Sequence, residues 1–108
     1  MSFAGGHVPE ADWKVFRRLR VDALERFCGN VLNRISELAA EPGKSKHERY
    51  LAVFEEIERS ERQLAMAFDD PRRSRMIEQL RIMVGLGLID DEELGELSED
   101  TRHRVQFF

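Results

Sequence analysis

The chain has 108 residues, a formal net charge of −4, 42% hydrophobic residues and 35% charged residues. That length suits one domain, the apolar share is too high for a disordered chain, and no run approaches the roughly 18 apolar residues that span a bilayer. The acidic balance argues against a general nucleic-acid binder, the one cysteine, Cys28, leaves no partner for an intrachain disulfide, and the first ten residues lack a basic patch followed by an apolar core. A cytoplasmic protein without a membrane segment or secretory signal is expected.

Residues Met1 to Val8 read as a loose N-terminus, and 9–108 as a single helical domain. The three prolines, Pro9, Pro42 and Pro71, stand where helices should begin or have ended. No β-branched alternation lies between them, so the fold class is all-α. The expected architecture is a long antiparallel helical hairpin with a third helix and short C-terminal helices, packed like a bundle.

The first helix should run from about Glu10 to Ala40. Trp13, Phe16, Leu19, Ala23, Leu24, Phe27, Val31, Leu32, Ile35 and Leu38 recur at steps of three and four and form one stripe. Gly29 inside it costs about 1 kcal/mol relative to Ala, which points to a close helix crossing or a weak point. Glu41-Pro42-Gly43-Lys44 breaks the helix. Ser45 and Glu48 then form a capping box for the second helix. Its stripe runs through Tyr50, Leu51, Phe54, Ile57, Leu64, Ala65 and Phe68, with a polar interruption from Glu58 to Gln63. Ser60 or Glu61 must therefore fall near the buried face.

Asp70 reads as the N-cap of a third helix and Pro71 as its first residue. Met76, Ile77, Leu80, Met83 and Val84 form its apolar face, and Gly85-Leu86-Gly87 ends it, with Gly87 left-handed. Leu88 and Ile89 should fold back on the core. Asp90 and Glu93 form a second capping box, before Leu94 and Leu97. Ser98 can cap one more short helix, with Thr101 and Val105 inward. Terminal Phe107 and Phe108 should dock on the core or a partner.

A first helix of about 30 residues would be roughly 45 Å long, whereas a compact globule of this size is roughly 35 Å across. The helix must kink or the molecule must be elongated. An elongated hairpin cannot cover two long stripes alone, so a symmetric helical homodimer is expected. The residues expected at its interface are Phe27, Val31 and Ile35 with Phe107 and Phe108.

Tests for chemistry come back empty. A carboxylate-bridged di-metal site needs Glu-x-x-His on inward faces, and none occurs. Asp100 and His103 offer two ligands at one-turn spacing, short of the three usual for catalytic zinc. No nucleophile elbow is present, Cys28 and Ser60 lie within helices, and Gly85-Leu86-Gly87 ends a helix where a phosphate loop would start one. No enzyme, metal or cofactor is expected. The charge pattern offers one alternative. Asp90 to Asp100 holds seven acids and no base, while Pro71 to Arg81 holds four bases and one acid, and the two segments could pair. The bases include Arg72, Arg73 and Arg75 in the expected first turn of the third helix. A helix N-terminus already favours anions, so these three define an alternative anion or nucleic-acid binding module. A helix-turn-helix is excluded, because Asp91 to Leu97 would be an acidic recognition helix. Arg17, Arg18 and Arg20 are followed by Asp22 and Glu25, which spoils a membrane-surface face.

The segments His47-Glu48-Arg49-Tyr50-Leu51, Ala67-Phe68-Asp69-Asp70-Pro71-Arg72-Arg73-Ser74 and Gly87-Leu88-Ile89 with Glu92-Glu93-Leu94 resemble small bacterial helical proteins with no assigned activity, over about residues 13 to 105. The shared motifs are caps and turns. The resemblance implies a compact helical fold and no particular activity, so no functional residue is carried over. The expected function is non-catalytic: protein–protein interaction, first with itself and then with a possible protein partner.

Overall fold

In the computed structural model, which describes residues 7–106, every regular element is helical. The first stripe makes α1, Glu10–Ala39, unbroken through Gly29. Beyond the helix itself, no described atom lies within 4 Å of where a Gly29 Cβ would stand, so the glycine does not mark a close crossing. The chain turns at Gly43, whose φ of 82° suits a residue without a Cβ. Helix α2, Lys46–Phe68, opens on the expected capping box: the Glu48 N–H donates to Ser45 Oγ at 3.0 Å, and the Ser45 N–H donates to Glu48 Oε1 at 2.8 Å.

The start of the third helix differs from expectation. Asp70 adopts φ 51°, a left-handed conformation that aspartate tolerates better than most residues. Pro71 disfavours a helical residue before it. The chain then runs extended at Arg72, makes a 3₁₀ turn at Arg73–Arg75, and only after it enters α3, Met76–Gly85. Gln79 holds this corner, its amide donating to the Asp69 carbonyl at 2.8 Å. The end of α3 is as expected. Gly87 has φ 73°, its N–H donates to the Val84 carbonyl, and the Leu88 N–H donates to the Met83 carbonyl. That is the Schellman pattern, with Leu88 and Met83 both buried beside it. Helix α4, Asp91–Leu94, carries its own capping box from Asp90 and Glu93, and α5, Glu99–Gln106, turns Thr101 and Val105 inward.

One apolar core forms where these short helices meet the hairpin. Phe16, Leu19, Ala23 and Phe27 of α1 pack with Ala67 and Phe68 of α2, with Met76, Leu80 and Met83 of α3, and with Leu88, Leu94 and Val105. Val8, expected in the loose segment, belongs to this core, and residues 1–6 lie outside the described chain. The N-terminus is fastened through Asp12, which is 3% exposed. Its carboxylate accepts from the Ser98 N–H at 2.8 Å, the Ser98 hydroxyl at 2.6 Å and the Thr101 hydroxyl at 2.5 Å. Burial pushes this carboxyl up, but the three hydrogen bonds together outweigh it and hold it below its ordinary value. The acidic segment pairs with α1 rather than with the Arg72–Arg75 stretch: Glu93 takes a bidentate pair from Arg26 at 2.7 and 2.8 Å, and Glu96 pairs with Arg18.

This body caps one end of the hairpin only. The molecule measures 60 × 24 × 22 Å with a radius of gyration of 17.0 Å, against about 13 Å for a compact chain of 100 residues. The elongated alternative is the one adopted. Past Phe27 on α1 and before Ala67 on α2 the nearest turn still packs against this core through Cys28, Val31 and Leu64, and the hairpin then projects as a two-helix arm.

Candidate functional site

The arm inverts the usual arrangement of an amphipathic helix. Two seams of α2 follow the four-three spacing that keeps residues on one helix face. One comprises residues 49, 53, 56, 60, 63 and 67, and the other 50, 54, 57, 61, 64 and 68. The first meets α1 although it is largely polar. Glu56 is 1% exposed and Ser60 6% exposed, and Arg49 donates from its guanidinium to the Ala39 carbonyl at 2.8 Å. Arg34 of α1 donates from Nε to Glu56 Oε2 at 2.7 Å, the Ser60 hydroxyl donates to the same oxygen at 3.0 Å, and Arg59 pairs with the other oxygen. Burial raises the Glu56 carboxyl, and these hydrogen bonds and the two guanidinium charges outweigh burial and hold it below its ordinary value. Of the polar interruption read in the sequence, Glu58 to Gln63, Ser60 is buried and Gln63 half-buried, while Glu58, Arg59, Glu61 and Arg62 are exposed.

The apolar seam turns the other way. Tyr50 is 67% exposed, Phe54 50% and Ile57 44%, with Leu51 beside them at 43%. Along the same seam Leu64 is half-buried and Phe68 fully buried, because there the body covers it. From 28 to 62 no apolar side chain is buried. Half-exposed side chains of this size leave on the order of 100 Å² each in water. The four together expose on the order of 400 Å², within the roughly 300–600 Å² typical of the largest and often functional patch on a protein.

The residues expected at an interface are distributed differently. Phe27 is buried, its ring 5.9 Å from that of Phe68, and is unavailable to a partner. Its stripe position falls where the body closes over α1. Val31 and Ile35 are half-buried in the arm, and Phe107 and Phe108 lie outside the described residues. The missed residues are Tyr50, Leu51, Phe54 and Ile57. Their signal was present as a periodic stripe, but periodicity alone does not say whether a stripe faces inward.

Arg72, Arg73 and Arg75 precede α3 instead of forming its first turn, and their donors are engaged. Arg72 pairs with Asp70 at 2.7 Å, and Arg73 reaches Glu10 at 2.9 Å and lies 5.1 Å over the Trp13 ring. Arg75 donates to the Asp69 and Asp70 carbonyls at 3.1 and 3.4 Å. Asp100 and His103 are both exposed on α5, and among the described residues no three metal-ligating side chains come together. Cys28 is a half-buried free thiol against the core. No helix among the described residues is long and apolar enough to cross a membrane.

Comparison with known proteins adds no relative. No family model matches the chain, and no curated protein or solved structure is similar to it. The functional reading therefore rests on the geometry of the arm.

Proposed function

We propose that this protein is non-catalytic and cytoplasmic and acts by protein–protein association, first with a second copy of itself, through the apolar seam of α2. The observation that supports this reading is the exposure of Tyr50, Leu51, Phe54 and Ile57 together on one face of α2, which no other described residue buries. A second copy suits the seam because a two-fold axis brings the same stripe to both sides, so each copy supplies what the other lacks. The size of the patch sets the strength. Two seams would bury on the order of 800 Å² of apolar surface. With a polar rim, that approaches the lower bound of roughly 1,200 Å² for stable interfaces. An interface of that size fits a reversible dimer rather than a permanent one.

Light scattering behind a sizing column, over a range of loading concentrations, tests the reading. The mass should rise toward twice 12.6 kDa on concentration. Phe54→Glu should hold the mass of one copy while its helical circular dichroism stays unchanged. A single-copy mass for the native chain at every concentration overturns the proposal.

A further inference from the structure

The seam carries its own register marks. Extended by one step at the N-terminal end it begins with His47, then runs Tyr50, Phe54, Ile57, Glu61 and Leu64. Glu61 is the one acid on it, and Lys46 and His47 are the bases at the opposite end. All three are exposed, and the ion pairs among the described residues include none of them.

We infer that the two copies cross with their α2 helices antiparallel, the two-fold axis passing between Phe54 and Ile57, so that Glu61 faces the partner's Tyr50, Lys46 and His47. This rests on the proposed self-association and adds its geometry. Antiparallel helices at the usual 8–10 Å separation then stack Phe54 on the partner's Ile57 and bring Tyr50 level with the partner's Glu61. The phenol donates to that carboxylate, and Lys46 and His47, one turn along, lie within reach of it. By symmetry the cluster occurs twice, once at each end of the apolar centre. A parallel pair would instead set Glu61 against the partner's Glu61 and Lys46 against the partner's Lys46, with like charges at both ends. Antiparallel crossing also sends the two bodies to opposite ends of the assembly. An acid in an otherwise apolar seam weakens the contact slightly and fixes its register, as single polar residues do in coiled coils.

Two measurements on the full chain decide it. In charge reversal, Lys46→Glu alone and Glu61→Lys alone should each raise the dimer dissociation constant about tenfold, since each change counts twice in the dimer. The double variant should return to within a few-fold of the native value. In the second, nitroxides at Lys44→Cys in a Cys28→Ser protein should sit roughly 35 Å apart across the dimer, from the helical rise of 1.5 Å per residue on either side of the axis. If dimers form but the labels lie within about 20 Å, or the double variant fails to recover, the antiparallel register is wrong while self-association stands. If the native chain never dimerises, both fall.

Discussion

The body and the arm are built from the same two helices, yet they solve burial in opposite ways. In the body α1 and α2 turn apolar residues toward each other and toward three short helices, and Phe16, Phe68, Met76, Leu80 and Met83 are no more than 1% exposed. In the arm the same helices meet over a buried carboxylate, Glu56, held by Arg34, Arg59 and Ser60, while Tyr50, Leu51, Phe54 and Ile57 face water. Buried ion pairs contribute little net stability because desolvation offsets most of the Coulombic gain. The buried apolar side chains are thus concentrated in the body, whereas the arm leaves an apolar seam in water.

Substitutions of matched residues on the two sides should separate the regions most strongly. Phe68→Ala should cost about 3–5 kcal/mol in denaturant unfolding, because it empties the core. Phe54→Ala should change the stability of a single copy by no more than about 0.5 kcal/mol while weakening dimerisation. The chain's one tryptophan, Trp13, stacks on Phe16 in the body, and its one tyrosine, Tyr50, stands on the arm. Tryptophan emission should therefore follow unfolding, and tyrosine emission should follow dilution.

The next largest effect concerns the fastening of the body. Asp12→Ala should cost roughly 1–3 kcal/mol, since the buried Thr101 hydroxyl and the part-buried Ser98 donors lose their acceptor. The sign with pH is set by the lowered carboxyl. Its stabilisation is fully present above the ordinary aspartate range and is lost as pH falls through the lower folded value. Acid titration of stability should thus be shallower in Asp12→Asn than in the native chain. An equal slope would show that this carboxylate does not fasten the helix ends.

Much of the local structure could be read directly from residue spacing. Ser45 with Glu48, Asp90 with Glu93, and Gly87 after Val84 each specify their local geometry through contacts three or four residues away, and all three form as expected. The start of α3 was misread because Asp70 and Pro71 make a good cap in isolation. In the folded chain Asp70 turns left-handed, and Gln79 holds that corner through the carbonyl of Asp69, ten residues before it. The candidate surface was half legible. The stripe from Tyr50 to Phe68 and its polar gap are plain in the sequence. Which of two neighbouring seams meets α1 is settled only by a long-range pair, Arg34 with Glu56, that periodicity cannot anticipate. Phe27 was drawn to the interface for the same reason, since its burial depends on Phe68, 41 positions away.

Smaller effects refine the division. Gly87→Ala should cost about 1 kcal/mol, because φ 73° strains a residue with a Cβ. It should act on the body alone and leave the dimer constant unchanged. Gly29→Ala should be stabilising by several tenths to about 1 kcal/mol, since it gains helix propensity in open space. Its effect should appear mainly as slower amide exchange in the arm.

Amide hydrogen exchange at low and high protein concentration compares the two regions in one sample. Protection of residues 47–61 should rise with concentration, as the exposed seam becomes covered, while amides of α3 and of α1 before Phe27 exchange at rates independent of concentration. Equal, concentration-independent protection in both regions would mean that the seam stays in water and that the arm is no docking surface for a second copy.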